Sequence, residues 1–133
     1  MTEHFSLAEL THTDHRDFDN TPNETELANI QRLAEFLEQV KTILGGKPIM
    51  VNSAFRSKAV NDAVGSKDTS QHRIGCAADF RVPGMTPDQV VKALINLPYD
   101  QIIREFDRWT HISIPNVAGP WPVEPRRRNV ACR

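Results

Sequence analysis

The stretch Ser70-Gln71-His72-Arg73-Ile74-Gly75-Cys76-Ala77-Ala78-Asp79 sets an imidazole and a carboxylate seven positions apart, and a second histidine follows in Trp109-Thr110-His111. Imidazole and carboxylate are zinc ligands, and catalytic zinc sites take three such side chains and keep a fourth position for water. His72, Asp79 and His111 form a candidate set of that kind. To converge, His72 must end a polar loop, Asp79 must lie on the strand that follows, and His111 on a later strand paired nearby. Gly75 and the small residues at 76–78 let the backbone turn tightly between the first two. Spacing alone favours the plainer reading, a polar loop running into a strand.

The elements that must hold these residues are readable from periodicity. Leu27, Ile30, Leu33, Leu37, Val40 and Leu44 recur at three- and four-residue steps, which predicts an amphipathic helix. Thr21 reads as its N-cap, Pro22 as its first residue, Glu24 as the capping-box partner and Gly45-Gly46 as its stop. "IMVNS" reads as a strand, "KAVNDAVG" as a short helix and "AADFRV" as a strand with Ala77, Asp79 and Arg81 on one face and Ala78, Phe80 and Val82 on the other. Thr86-Pro87-Asp88-Gln89 starts another helix, with Val90, Val91, Leu94 and Ile95 as its apolar stripe and Pro98 as its stop. "QIIREF" and "WTHISI" read as a hairpin around Asp107-Arg108. Residues 116–133, rich in proline and arginine, read as an irregular tail.

A chain of 133 residues without an internal linker or repeat reads as one domain, 1–133. The formal net charge of -1 offers no electrostatic case for nucleic acid or an anionic membrane, and no apolar run is long enough to span a bilayer. The opening MTEHFSLAEL has no signal-peptide pattern, so synthesis in the cytoplasm is expected, with Cys76 and Cys132 reduced rather than paired. His4, His12, His15 and Asp14 match no closed zinc spacing, and Arg126-Arg127-Arg128 reads as a solvated charge cluster.

Read whole, residues 70–79 fill every fixed position of S-x-H-x-x-G-x-A-x-D, and "NSAFRS", "WTHIS", "HFSLAEL" and "DQIIREF" stand around it in order. This set resembles the zinc D-alanyl-D-alanine peptidases, a family related in fold to lysostaphin-type peptidases and the hedgehog domain, and in particular their compact bacterial and phage branch. The resemblance spans about residues 4–114. It implies an α+β fold with a small, mainly antiparallel sheet flanked by helices, and one zinc ion on His72, Asp79 and His111. It also implies Arg56 as the cation that steadies a substrate carbonyl or carboxylate, a task suited to a guanidinium.

Many relatives carry the general base three residues before the last histidine, where this chain has Arg108. Glu105 and Asp107 are the candidates in its place. A three-residue hairpin loop, 106–108, would set Glu105 opposite Trp109 and on the face of His111, whereas a two-residue loop would turn Glu105 away. Glu105 is preferred as base, because an acid on the ligand face can reach the attacking water, while Asp107 at a turn suits capping. Ser70 and Gln71 are expected to orient His72 or touch substrate, and Trp109 to wall the cleft.

What the resemblance implies for function is a monomeric zinc metallopeptidase acting on peptidoglycan stem peptides through a metal-activated water. The bond is D-Ala-D-Ala in a carboxypeptidase, or L-Ala-D-Glu or a cross-bridge in an endopeptidase. A phage lysis or virion enzyme acting on the cell wall, or a cytoplasmic bacterial enzyme, would suit such a chain. Two alternatives stand beside it: a non-catalytic, zinc-containing wall-binding or virion structural module, favoured by Arg108, and an enzyme for a different small D-amino-acid amide.

Overall fold

Alternation within the strands and helical periodicity outside them divide the chain into a sheet with one apolar face and helices that cover it. A computed structural model describes residues 1–15, 17–66, 70–97, 99–105 and 108–115, and the backbone of 128–130. Its elements in chain order are α1 (Leu7–Leu10), α2 (Glu24–Ile43), β1 (Met50–Ser53), α3 (Lys58–Ala63), a 3₁₀ turn (Gln71–Ile74), β2 (Ala77–Arg81), α4 (Pro87–Leu94), β3 (Gln101–Glu105), β4 (Trp109–Ser113) and β5 (Arg128–Val130). The strands lie in the order β1-β2-β4-β3-β5, and every pairing is antiparallel except that of β5 with β3. The fold is α+β, with a mainly antiparallel sheet, as the sequence implied.

Side-chain alternation sends Ala78, Phe80, Ile102 and Ile112 to one face of the sheet, where they join Ile30, Leu33, Phe36, Leu37 and Val40 of α2 and Val90, Val91 and Leu94 of α4 in a single core. Burying such side chains stabilises the fold by about 1.5–3 kcal/mol each before the entropy of ordering them is counted. The opposite face carries Asp79, Glu105, Trp109 and His111, since Asp79 pairs with His111 and Glu105 with Trp109. Chemistry and packing therefore occupy opposite sides of one sheet.

Several expectations need correction. The long helix starts later than Thr21: Asn23 is its N-cap, accepting from Glu26 N while Glu26 Oε1 accepts from Asn23 N. Thr21 is drawn instead to Asp19, whose carboxylate accepts from both its backbone N–H and its hydroxyl. Leu27 and Ile95, placed in apolar stripes by periodicity, are exposed. Leu27 precedes Ile30, the first buried residue of α2, and Ile95 follows Leu94, the last buried residue of α4, so both stand at helix ends beyond the part packed on the core. The tail is not wholly irregular: Arg128–Val130 form β5, whose backbone pairs along β3 and so covers what would be an open sheet edge. Pro98, the loop residues 67–69, the rest of the tail with Arg126, Arg127 and Cys132, and Asp107 lie outside the described residues.

No helix among the described residues is long and apolar enough to cross a membrane.

Candidate metal centre

Sheet register supplies two of the three candidate ligands. Asp79 on β2 and His111 on β4 are direct partners in an antiparallel ladder, which points both side chains to the same face. His111 Nδ1 lies 2.8 Å from Asp79 Oδ1. His72 arrives from off the sheet, on the 3₁₀ turn, with Nε2 3.2 Å from the same carboxylate oxygen. Ligand atoms from all three residues lie within 4.8 Å of one another. Among the described residues this is the one such convergence of His, Cys, Asp and Glu side chains.

The surroundings prepare these groups for a cation. His72 Nδ1 lies 2.7 Å from the carbonyl oxygen of Ala54, to which it donates, so the lone pair is left on Nε2, facing the cluster. Burial disfavours the charged imidazole and takes the His72 pKa below its ordinary value, although Asp79 pulls the other way. Burial alone would raise the Asp79 pKa; the neighbouring His72 and the hydrogen bond from His111 outweigh it and hold the carboxyl well below the usual range. A neutral imidazole and an ionised carboxylate are the states in which these groups ligate a metal. The donor set, two nitrogens and a hard oxygen, suits zinc.

The turn carrying His72 is fastened at several points. Ser70 caps it, its Oγ accepting from His72 N. Gly75 ends it in the left-handed region at φ +84°, so close to α2 that a Cβ there would stand 2.8 Å from Ile30 Cγ1 and 2.9 Å from the Glu26 carbonyl oxygen. Asn29 donates to the Ile74 carbonyl at 2.9 Å, and Arg73 pairs with Glu26. The glycine between His72 and Asp79 thus serves both the sharp turn and the close approach of the turn to α2.

Arg56 is tied to the same turn, its backbone N–H donating to the His72 carbonyl at 2.9 Å. Its side chain is half-buried, and Nε is buried with no hydrogen-bond partner among the described residues. Desolvation lowers its pKa while Asp79 and Glu105 counter by attraction, which puts the guanidinium in the electrostatic reach of both carboxylates. Glu105 faces Trp109 in the register that a three-residue loop requires, with Arg108 N donating back to Glu105 O at 2.9 Å. Arg108 itself is exposed.

Ser70 and Gln71 are engaged by the fold: Gln71 Nε2 donates to Asp100 Oδ2 at 2.9 Å and to the Ile114 carbonyl at 3.2 Å. Two participants escaped the sequence reading. The Ala54 carbonyl is a backbone group and leaves no residue-type signal. Asp100 is buried just before β3, a place where an acid would ordinarily be read as loop polarity. The N-terminal histidines form separate surface pairs, His4 with Glu38 and His12 with Asp14. Cys76 is a free, buried thiol whose pKa burial pushes up to about 11, which makes it an inert packing group.

A family model described as Peptidase M15 matches residues 3–113, a span that holds the whole cluster and both hairpin strands. No curated protein matches the chain.

Proposed function

The chain belongs to the peptidase M15 family, zinc metallopeptidases, and on that premise we propose that it hydrolyses a peptide bond in bacterial peptidoglycan stem peptides. The observation that carries this reading is the convergence of His72 Nε2, Asp79 Oδ1 and His111 Nδ1 beside Arg56, whose buried Nε has no partner among the described residues. His72, Asp79 and His111 would hold one zinc ion, which when bound supplies a Lewis acid that polarises the scissile carbonyl and brings water toward neutral pKa.

The chain's own residues supply the rest. Arg56 donates to the substrate oxygen on which negative charge develops, in a half-buried position where that hydrogen bond is stronger than in water. Glu105 takes a proton from the attacking water and returns it to the departing amine, the two halves of general acid–base catalysis. Its place on the ligand face of β3, one strand from His111, supports this role over Asp107. Trp109, on the same face, forms a wall against which the substrate rests. The protein acts as a monomer on the cell wall, in the setting of a phage lysis or virion enzyme.

A second reading, a zinc-containing module that binds wall without cutting it, is favoured by Arg108 at the position three residues before His111. Mass spectrometry of purified stem peptides incubated with zinc-loaded protein separates the two. Zinc-dependent products support the peptidase, and their masses distinguish loss of a terminal D-Ala from internal cleavage. Intact peptides across several stem chemistries, at confirmed zinc occupancy, favour the module.

A further inference from the structure

Two of the three candidate ligands are placed by strand register, but His72 is not on the sheet, so its position depends on what ties the 3₁₀ turn down. Two ties run to residues 54–56: the His72 ring to the Ala54 carbonyl, and Arg56 N to the His72 carbonyl. A third leaves from Gln71, the residue directly before the ligand. Its amide nitrogen bridges Asp100 Oδ2 and the Ile114 carbonyl, one just before β3 and the other just after β4. Both anchors are themselves fixed, because Asp100 N donates to Ser113 O at 2.7 Å and Ile114 N to Cys76 O at 2.9 Å. Asp100 is 1% exposed.

We propose that Gln71 and Asp100 are a positioning pair that sets His72 in register with Asp79 and His111 before metal binds. The inference rests on reading the three residues as a metal site. A buried carboxylate is costly unless it is hydrogen-bonded, so Asp100 holds the Gln71 amide in one orientation. That amide in turn straps the His72-bearing turn to the end of the hairpin that carries His111. A ligand already in place loses less freedom when the ion arrives, which is why groups behind the ligands influence affinity. Neither residue is catalytic; both act through His72.

The test is zinc affinity by chelator competition on the full chain, together with the visible spectrum of the Co²⁺-substituted protein and the unfolding midpoint of the metal-free form. Gln71→Glu sets two carboxylates against each other and is expected to weaken zinc by about 10–100-fold and to alter the Co²⁺ bands. Adding Asp100→Asn exchanges amide and carboxylate across the pair, restoring that contact though not the one to the Ile114 carbonyl, and is expected to recover part of the affinity and of the spectrum. Should Gln71→Glu fail to fold, Gln71→Met removes the amide without adding charge and is expected to show the same weakening. Unchanged affinity in a folded single variant overturns the pair and leaves the metal site standing. A loss that Asp100→Asn leaves wholly undiminished shows that Gln71 does not act through Asp100 and overturns it too. Wild-type protein that binds neither ion overturns the metal reading and this inference with it.

Discussion

Replacing Gly75 by alanine should cost more than the same change at Gly84, and the structure gives the difference a size. Both residues lie in the left-handed region, at φ +84° and +87°. Alanine held there costs about 1–2 kcal/mol at either position. At Gly84 a new Cβ meets nothing within 4 Å, so the backbone cost is the whole effect. At Gly75 it would stand 2.8 Å from Ile30 Cγ1, 2.9 Å from Glu26 O and 3.4 Å from Ile30 N, directly over α2 backbone that cannot yield without opening a helical turn. Forcing atoms into such a contact adds about 1–3 kcal/mol. Gly75→Ala should therefore lose about 2–5 kcal/mol in total, and Gly84→Ala about 1–2 kcal/mol. Urea unfolding of the metal-free proteins, compared at equal m-value, measures both. Because Gly75 follows the turn that holds His72, zinc affinity should fall in Gly75→Ala and stay unchanged in Gly84→Ala. Equal destabilisation of the two variants would refute the reasoning that the turn is pressed against α2.

Three further outcomes are expected. Glu105→Gln should keep its zinc while turnover of stem peptide falls by about 10²–10⁴-fold, and an active Glu105→Gln beside an inactive Asp107→Asn would transfer the base role. Arg56→Lys keeps a charge but loses the planar fork, so turnover should drop by about 10²–10³-fold with zinc content unchanged; undiminished turnover would remove Arg56 from the chemistry. The metal-free protein should lose stability as pH falls below about 6.5, because unfolded His72 takes up a proton there and the buried one, its pKa depressed from 6.5, does not. Asp79, depressed from 3.8, adds a further loss at lower pH. The contribution is present above the unfolded values and is lost on acidification. Urea midpoints for wild type and His72→Ala from about pH 8 downward check this, and parallel curves through the His72 window would contradict it.

The candidate ligands were legible through the family motif rather than through spacing: His72, Gly75 and Asp79 fall in one motif, His111 in a later segment, and strand alternation assigned Asp79 its face. The hairpin register could be stated only conditionally, since loop length decides which way Glu105 points, and the observed pairing with Trp109 corresponds to the three-residue case. Capping was half legible. Thr86 caps α4 with Gln89 as read, yet Thr21 was passed over because Asp19 competes for its hydroxyl. β5 was hidden, because a short strand that only completes a sheet edge needs no apolar pattern of its own. The fastening of His72 was hidden too, since it depends on the Ala54 carbonyl and on Asp100, whose meaning comes from tertiary position rather than residue type.

Everything proposed for this protein depends on His72, Asp79 and His111 forming one metal site. Elemental analysis of zinc per chain after equilibration at neutral pH, for wild type and His72→Ala side by side, tests it most directly. One zinc per wild-type chain and none in the variant is the expected result. Full zinc in His72→Ala, or none in folded wild type, would contradict it.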